Sequence, residues 1–265
     1  MPHLPALAPI LAARLASVPG VVAVALGGSH AREVARPDSD LDLGLYYDAA
    51  RPFDLNILRD LCHELDDAGT AQPTPPGGWG PWVDGGAWLT VQGRRVDFIY
   101  RELGRVARSV EDALDGRVSL HAQVGHPHGI HGHHYAAELA LGLPLSDPAG
   151  RLTALKRHLG SYPEALRAAL TAHYAWQPDF WLDGAAKGLG RGDIHWVQGC
   201  AYQAVMAMVQ TLCARARYWL TNEKGAVAAA GRLQSAPTEF ERRTNEALSR
   251  LDLGALRQLR AESRG

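Results

Sequence analysis

Two aspartates, Asp40 and Asp42, stand two positions apart within residues 27–44 (GGSHAREVARPDSDLDLG). Side chains at this spacing on a β-strand leave the same face, so the two carboxylates would lie side by side and repel each other unless a cation separates them. Carboxylate oxygens suit Mg²⁺, which also takes phosphate oxygens. Asp97 lies in the alternating segment 94–100 and would complete a three-carboxylate cluster if its strand lies beside the first. These residues predict a magnesium and phosphate site.

A glycine-serine turn precedes the acidic pair. Gly28 lets the backbone come close to a phosphate, and a helix that begins there offers unpaired amide donors. The Ser29 hydroxyl can add a donor, and Ser39, directly before Asp40, completes the predicted nucleotide contacts of this segment. Taken singly, such a turn is usually only a turn and such an acidic pair is usually a solvated surface. Their combination is less common and favours a functional interpretation.

Hydrophobic spacing predicts the elements that would position these residues. The predicted order is a strand at 21–26, a short helix at 29–35 that Pro37 ends, a strand at 41–47, a helix at 53–67, a Pro/Gly-rich loop at 69–81, and strands at 87–92 and 94–100. This order is typical of a small mixed α/β unit.

The character of the sequence changes after about residue 101. Residues 102–115 are predicted to be helical, and 151–265 helical almost throughout, most clearly at 193–220, where one face is apolar. We therefore predict an α+β protein with a catalytic domain at 1–115 and a helical domain at 116–265.

Composition narrows the class of protein. The chain has 265 residues, 46% hydrophobic and 21% charged, which is ordinary for a globular protein. Its first 18 residues have no basic residue before the apolar stretch and predict an amphipathic helix, not a signal peptide. Three cysteines without ligand-like spacing, Cys62, Cys200 and Cys213, indicate a reduced, cytoplasmic protein. No run is long enough to span a membrane, and a net charge of −1 without a basic stripe does not favour nucleic acid as the acceptor.

At these residues a family resemblance emerges. Residues 27–47 (GGSHAREVARPDSDLDLGLYY) resemble the signature of the DNA polymerase β-like nucleotidyltransferase superfamily, a Gly-Ser turn followed by Asp-x-Asp. Asp97 stands where that superfamily places its third carboxylate, and the match covers about residues 20–100. One departure is that the third acid follows the Pro/Gly-rich loop instead of a compact connection.

The resemblance implies the chemistry of the site. Asp40, Asp42 and Asp97 would be the catalytic and metal-binding residues, with two Mg²⁺ ions bridged by the first two. Asp97 would complete the second metal site, accept the proton of the acceptor hydroxyl, or both. A nucleoside monophosphate, AMP from ATP, would be transferred to a small hydroxylated molecule, and pyrophosphate would leave. The alternative is a protein-modifying (AMPylating) enzyme or a catalytically silent nucleotide-binding regulator.

The helical half resembles bacterial small-molecule nucleotidyltransferases, including the aminoglycoside adenylyltransferases, at 191–193 and 221–225. The resemblance implies that the helical domain binds the acceptor and part of the nucleotide, with the nucleotide between the two domains. Within this resemblance Lys224 would contact the triphosphate, although an ordinary lysine at a helix end is the alternative. Asp193 suits the N-cap of the longest helix and could also bind a cationic acceptor.

Two further groups of residues leave alternatives open. Six histidines fall between His121 and His134, and we interpret their glycine-rich segment as a loop that lines an acceptor cleft or is solvated, in preference to a structural metal site. Three tryptophans, Trp79, Trp82 and Trp88, surround the Pro/Gly-rich loop and would either cover a ligand or pack against a small core.

Overall fold

The computed structural model describes residues 5–32, 36 and 39–264. These residues form two compact units. The first contains the described residues up to Glu111 together with His133–Ser161, and the second contains Asp112–Gly132 and the described residues from Tyr162 onward. The first unit therefore includes the segment 133–161, which the sequence-based division at residue 115 had assigned to the helical half.

The first unit is built around one sheet. Its elements are α1 (Leu7–Ala16), β1 (Val21–Leu26), α2 (Gly28–Ala31), β2 (Leu41–Tyr47), α3 (Leu55–Leu65), β3 (Gly86–Val91), β4 (Arg94–Glu102), α4 (Leu103–Leu114), α5 (His134–Leu141), β7 (Leu143–Ser146) and α6 (Arg151–Leu159). The five strands lie in the order β3-β4-β2-β1-β7. Only β2 and β4 pair in parallel, and the other neighbours are antiparallel. The predicted mixed α+β class is confirmed.

Alternation along β2 gives the sheet one apolar face and one open face. Leu41, Leu43 and Leu45 are fully buried in the hydrophobic core of this unit. α1 and α3 supply the other side of that core through Leu11, Leu15, Leu58 and Leu61. Side chains at the intervening positions of β2 point to the opposite face because successive residues of a strand alternate. This places Asp42 away from the core, as the sequence predicted.

The segment 133–161 joins the first unit through β7. Leu26 at the end of β1 pairs with Leu143, and α5 leads the chain to this position. β7 lies at the edge of the sheet next to β1. Because strand pairing is a long-range contact between residues more than a hundred positions apart, no local pattern indicates it.

The second unit is helical apart from one hairpin. Its elements are β5 (Leu120–Gln123), β6 (His126–His131), α7 (Glu164–Tyr174), α8 (Gln177–Leu189), α9 (Ile194–Arg215), α10 (Ala226–Gly231), α11 (Phe240–Arg250) and α12 (Leu253–Glu262). The predicted long helix at 193–220 is observed as α9, whose Val197, Ala201 and Val205 are buried. In the described part of the chain, no helix combines the length and apolar character needed to cross a membrane.

The histidine-rich segment corrects one prediction. We expected a loop, whereas β5 and β6 form an antiparallel hairpin in which Gln123 pairs with His126. Gly125 has φ +88°, a conformation that favours glycine and allows the chain to turn there. The glycines therefore permit a tight hairpin instead of preventing strands.

The short helix after β1 is only partly described. α2 spans Gly28–Ala31. The rest of the predicted helix at 29–35 includes residues 33–35, and these, like Pro37, lie outside the described residues. α3 begins two residues later than predicted, because the Asp54 carboxylate accepts hydrogen bonds from the N–H groups of Asn56 and Ile57 and caps the helix.

Candidate active site

The acidic residues meet on the open face of the sheet. Asp42 on β2 is the direct partner of Asp97 on the neighbouring parallel strand β4. Directly paired residues project from the same face, so the two carboxylates lie side by side. Asp40 stands just before β2, two positions from Asp42. The strand that carries Asp97 therefore lies beside β2, and the three-carboxylate metal site stays a prediction.

Electrostatics tie the three aspartates together. Burial, and after it the negative charges of Asp97, Asp40 and Glu138, raise the pKa of Asp42 to about 6, against the opposing charge of Arg32. A carboxylate that is half-buried among like charges is unfavourable unless a cation compensates it. The site is therefore suited to attract positive charge.

Arg95 forms an ion pair with Asp40. Its Nε lies 2.7 Å from Oδ1 of Asp40, and the arginine side chain is 72% exposed. That oxygen makes no aligned hydrogen bond within the described part of the chain, so charge alone holds the pair. Because the arginine is mostly exposed to solvent, this ion pair contributes little to stability.

The turn after β1 closes tightly on Asp42. Gly28 has φ +59°, and a Cβ atom there would lie 1.7 Å from Oδ2 of Asp42. The N–H of Gly27 donates a 2.9 Å hydrogen bond to the backbone carbonyl of Asp42. Only glycine leaves room for the carboxylate at this point, so the Gly-Gly-Ser segment and the second aspartate form one local structure.

The two serines occupy different positions around this turn. Ser29 lies in the single turn of α2, whose first N–H groups have no partner within the helix. Ser39 uses its Oγ to accept a 2.8 Å hydrogen bond from the N–H of Arg36. Ser29 thus follows Gly28 within α2, whereas Ser39 lies directly before Asp40 and is hydrogen-bonded to the preceding segment.

The donor set fits magnesium better than it fits a metal held only by protein. Among the residues that the structure describes, no three His, Cys, Asp or Glu side chains are arranged to hold an ion by themselves. Mg²⁺ is usually bound through one or two carboxylates while substrate phosphates and water fill the other positions. Asp42 and Asp97, which are direct partners on neighbouring strands, offer such a pair.

Sequence reasoning missed a buried ion pair next to this site. Arg101 of β4 forms two hydrogen bonds with Glu138 of α5, 2.5 Å from Nε and 2.7 Å from Nη2. Although burial opposes ionisation, the charges of Arg101 and His134 hold the pKa of Glu138 well below its usual range. The sequence contains a signal for this pair. Arg101 lies four positions after Asp97 on the same strand, and an arginine that is buried in a strand needs an acidic partner.

The second unit contains the remaining predicted site residues. Asp193 is the N-cap of α9 and accepts a 3.4 Å hydrogen bond from the N–H of Trp196, so the capping interpretation is confirmed. Lys224 lies in the loop before α10, where its N–H donates to Oδ1 of Asn222. Its side chain is exposed.

Histidines of the β5–β6 hairpin contact other side chains of the second unit. Burial lowers the pKa of His128, although Gln203 and Glu223 act in the opposite direction. The contacts join His126 to Glu223 (3.2 Å), His128 to Gln203 (3.2 Å) and His131 to Tyr174 (2.6 Å). These three histidines are therefore hydrogen-bonded to side chains of this unit that lie outside the hairpin.

One known protein family is similar to the N-terminal part of the chain. Residues 9–119 match the family model of the nucleotidyltransferase domain. This part of the chain is similar to nucleotidyltransferase domains, and the match supports nucleotidyl transfer in general as the activity. No curated protein matches the chain. The resemblance to aminoglycoside-type enzymes stays a prediction.

A solved structure is also similar in outline. It is a nucleotidyltransferase-like protein from Exiguobacterium sibiricum 255-15, with 11% sequence identity and a TM-score of 0.44. The similarity covers 96% of this chain and 72% of the other. At this level of similarity the comparison carries no functional argument.

Proposed function

We propose that the protein is a Mg²⁺-dependent nucleotidyltransferase that moves a nucleoside monophosphate, AMP from ATP, to a hydroxyl group of a small molecule. The observation that carries this proposal is the register of Asp42 with Asp97, together with the packing of Gly28 against the Asp42 carboxylate. A phosphate-binding turn and a pair of metal-binding carboxylates would then meet within one strand spacing.

The carboxylates would hold the metal. Asp42 and Asp97 would bind it, and Asp40 would join them once its ion pair with Arg95 opens. When bound, Mg²⁺ would neutralise charge on the reacting phosphate and on the attacking and leaving oxygens. Release of Arg95 would also free a guanidinium close to the phosphates, where its planar fork suits phosphate oxygens.

The chain's own groups would orient the exchange of bonds. The backbone N–H groups of Gly28 and Ser29 would hold the phosphates on the β1 side of Asp42. An oxygen–phosphorus bond to the acceptor forms while the bond to pyrophosphate breaks, and the hydroxyl proton is lost. Asp97 would accept this proton or complete the metal site, since it lies on the side of Asp42 away from Gly28.

The test is incubation of the protein with Mg²⁺ and each labelled nucleoside triphosphate against a panel of small hydroxylated amines, with pyrophosphate release measured. Asp42→Asn and Asp97→Asn should reduce transfer by about 100-fold or more, given the several kcal/mol that a catalytic metal contributes. Asp115→Asn is the matched control because this exposed acid pairs with Arg117 in the second unit. Near-normal transfer by folded Asp42→Asn would contradict the proposed mechanism.

A protein acceptor is a second candidate, favoured by a group of exposed aromatic residues in the second unit. Phe180 is 65% exposed and Trp176 59% exposed, and their rings are 6.0 Å apart on and next to α8. Trp196 at the start of α9 is 48% exposed. Such apolar surface is typical of protein interaction sites. Intact-mass measurement of protein substrates after incubation with ATP would show added AMP if the acceptor is a protein.

A further inference from the structure

Trp88 lies in line with Asp42 and Asp97 across three neighbouring strands of the sheet. On β3 it is the direct antiparallel partner of Asp97, which in turn is the parallel partner of Asp42. Directly paired residues project from the same face. The open face of the sheet therefore presents, from β3 to β2, an indole ring followed by two carboxylates.

The indole is exposed in a position that gives it no role in the core. Trp88 is 65% exposed, whereas its strand neighbours Ala87 and Leu89 are buried on the other face. One side of the ring is stacked on Trp79, with ring centroids 4.5 Å apart and planes inclined by 18°. The exposed part of the indole is therefore accessible to a ligand on the open face of the sheet.

Trp79 is itself held in place over the sheet. A Cβ atom on Gly86 would lie 2.7 Å from Cη2 of Trp79, so the absence of a side chain at Gly86 allows the ring to cover this strand. Trp79 then supports Trp88 from one side. Through Trp79, the Pro/Gly-rich loop thus stacks against one face of the exposed indole.

The geometry of displacement decides which substrate would reach this ring. In an in-line displacement at phosphorus, the attacking and leaving oxygens lie on opposite sides of the reacting atom. Under the proposed function, pyrophosphate leaves on the Gly28 side of Asp42. The attacking hydroxyl then approaches from the Asp97 side, and Trp88 lies one strand spacing, about 5 Å, farther in that direction.

We propose that the exposed face of Trp88, backed by Trp79, binds the acceptor, and that the acceptor is a cyclic compound with an apolar ring face, either saturated or aromatic. A ring that carries the reacting hydroxyl spans the distance between Asp97 and the indole. This inference rests on the proposed function and narrows its acceptor class.

The experiment compares wild type, Trp88→Ala and Trp88→Phe with cyclic polyols, aminocyclitols and phenols, and with acyclic amino alcohols of similar size. Pyrophosphate release is measured for each compound and for water alone, and affinity for a non-hydrolysable ATP analogue is measured by calorimetry. Ile57→Ala is the control, since this residue is 43% exposed on α3, which packs on the opposite face. Thermal unfolding of every variant checks the fold.

We expect wild type to use cyclic acceptors better than acyclic ones. Trp88→Ala should lower kcat/KM for a cyclic acceptor roughly 5- to 10-fold, the size of an aromatic ring contact. Trp88→Phe should recover most of the loss, and the water reaction, analogue affinity and Ile57→Ala should stay at wild-type values. The saturated and aromatic compounds show which ring chemistry is preferred.

Other results would overturn the inference in distinguishable ways. If Trp88→Ala transfers to cyclic acceptors as well as wild type does, the role proposed for Trp88 is wrong while nucleotidyl transfer stands. The same conclusion follows if wild type binds the analogue but prefers acyclic acceptors, or uses none of the cyclic ones. If wild type neither binds the analogue nor releases pyrophosphate, the proposed function itself fails and the inference fails with it.

Discussion

Oδ2 of Asp42 occupies the space that any side chain at Gly28 would need, since a Cβ there would lie 1.7 Å away. The two residues come from different elements, the turn after β1 and the strand β2. Their contact makes the position of the carboxylate depend on the turn, and the conformation of the turn depend on glycine. A change at either residue must therefore affect the other.

Gly28→Ala should disable the site more than it destabilises the protein. The added methyl group must displace the Asp42 carboxylate, so we expect Mg²⁺-dependent transfer to fall by at least ~10-fold, as misplacement of a reacting group can cost more than that. The positive φ adds about 1 kcal/mol of destabilisation. Transfer rates and urea unfolding measure the two effects.

Gly93→Ala is the control that separates the effect of backbone strain from the effect of a collision with a carboxylate. Gly93 in the β3–β4 turn has φ +74°, and a Cβ atom there would have no other atom within 4 Å, so alanine meets the same backbone strain without a collision. We expect a similar loss of stability and normal transfer. Equal transfer by Gly28→Ala and Gly93→Ala would remove the functional meaning of the Gly28–Asp42 contact.

Asp42→Asn should stabilise the metal-free protein at neutral pH while abolishing transfer. The folded-state pKa of Asp42 is raised from 3.8 to about 6, so the native state binds the proton more tightly than the unfolded state does. This carboxyl therefore lowers the free energy of unfolding progressively as pH rises from about 4 to 6, and the full penalty remains above pH 6. Removing the charge should recover on the order of 1–3 kcal/mol at about pH 7.5.

The measurement is urea unfolding in EDTA at about pH 4 and about pH 7.5 for wild type and Asp42→Asn. The stabilisation should be present at the higher pH and nearly absent at the lower one. Asp66→Asn is the opposite control, because hydrogen bonds from the N–H groups of Thr90 and Thr70 lower the pKa of Asp66 and its charge should help the fold at neutral pH. A destabilised Asp42→Asn at neutral pH would show that the carboxylate is not repelled in the folded state.

Glu138→Gln should destabilise the first unit strongly. Arg101 is buried and donates two hydrogen bonds to this one carboxylate, so the substitution leaves a buried guanidinium without its counter-charge. We expect a loss of about 3 kcal/mol in the free energy of unfolding. Glu246→Gln, which breaks an exposed pair with Arg242, should change it by less than ~0.5 kcal/mol. Similar unfolding curves for the two variants would contradict the structural weight given to the Arg101–Glu138 pair.

Asp193 offers a test of two roles assigned to one residue. Asp193→Ala should destabilise the protein by about 1 kcal/mol because α9 loses its N-cap. Asp193→Asn keeps a capping oxygen and removes the negative charge, so it should preserve both stability and transfer. A selective loss of transfer to cationic acceptors in Asp193→Asn would instead assign the residue to acceptor binding.

Local pattern alone determined several of these features. Alternation in residues 41–47 assigned Leu41 and Leu43 to the core and Asp42 to the opposite face, because the side-chain period of a strand is two. The cap at Asp193 was equally local, since a capping side chain bonds to an N–H only three residues away. Both are settled within a few residues of the chain, and both are observed.

Tertiary structure alone decided the relationships between distant residues. Parallel pairing of β2 with β4 brings Asp97 beside Asp42, and antiparallel pairing of β3 with β4 brings Trp88 beside Asp97. The hairpin that contains His126 forms where the glycines of the sequence had suggested a loop. Strand order and register depend on which apolar faces bury each other, and residues far apart in the chain make those contacts. A sequence names the groups that can do chemistry, but only the packed sheet places Asp42, Asp97 and Trp88 at paired positions on neighbouring strands.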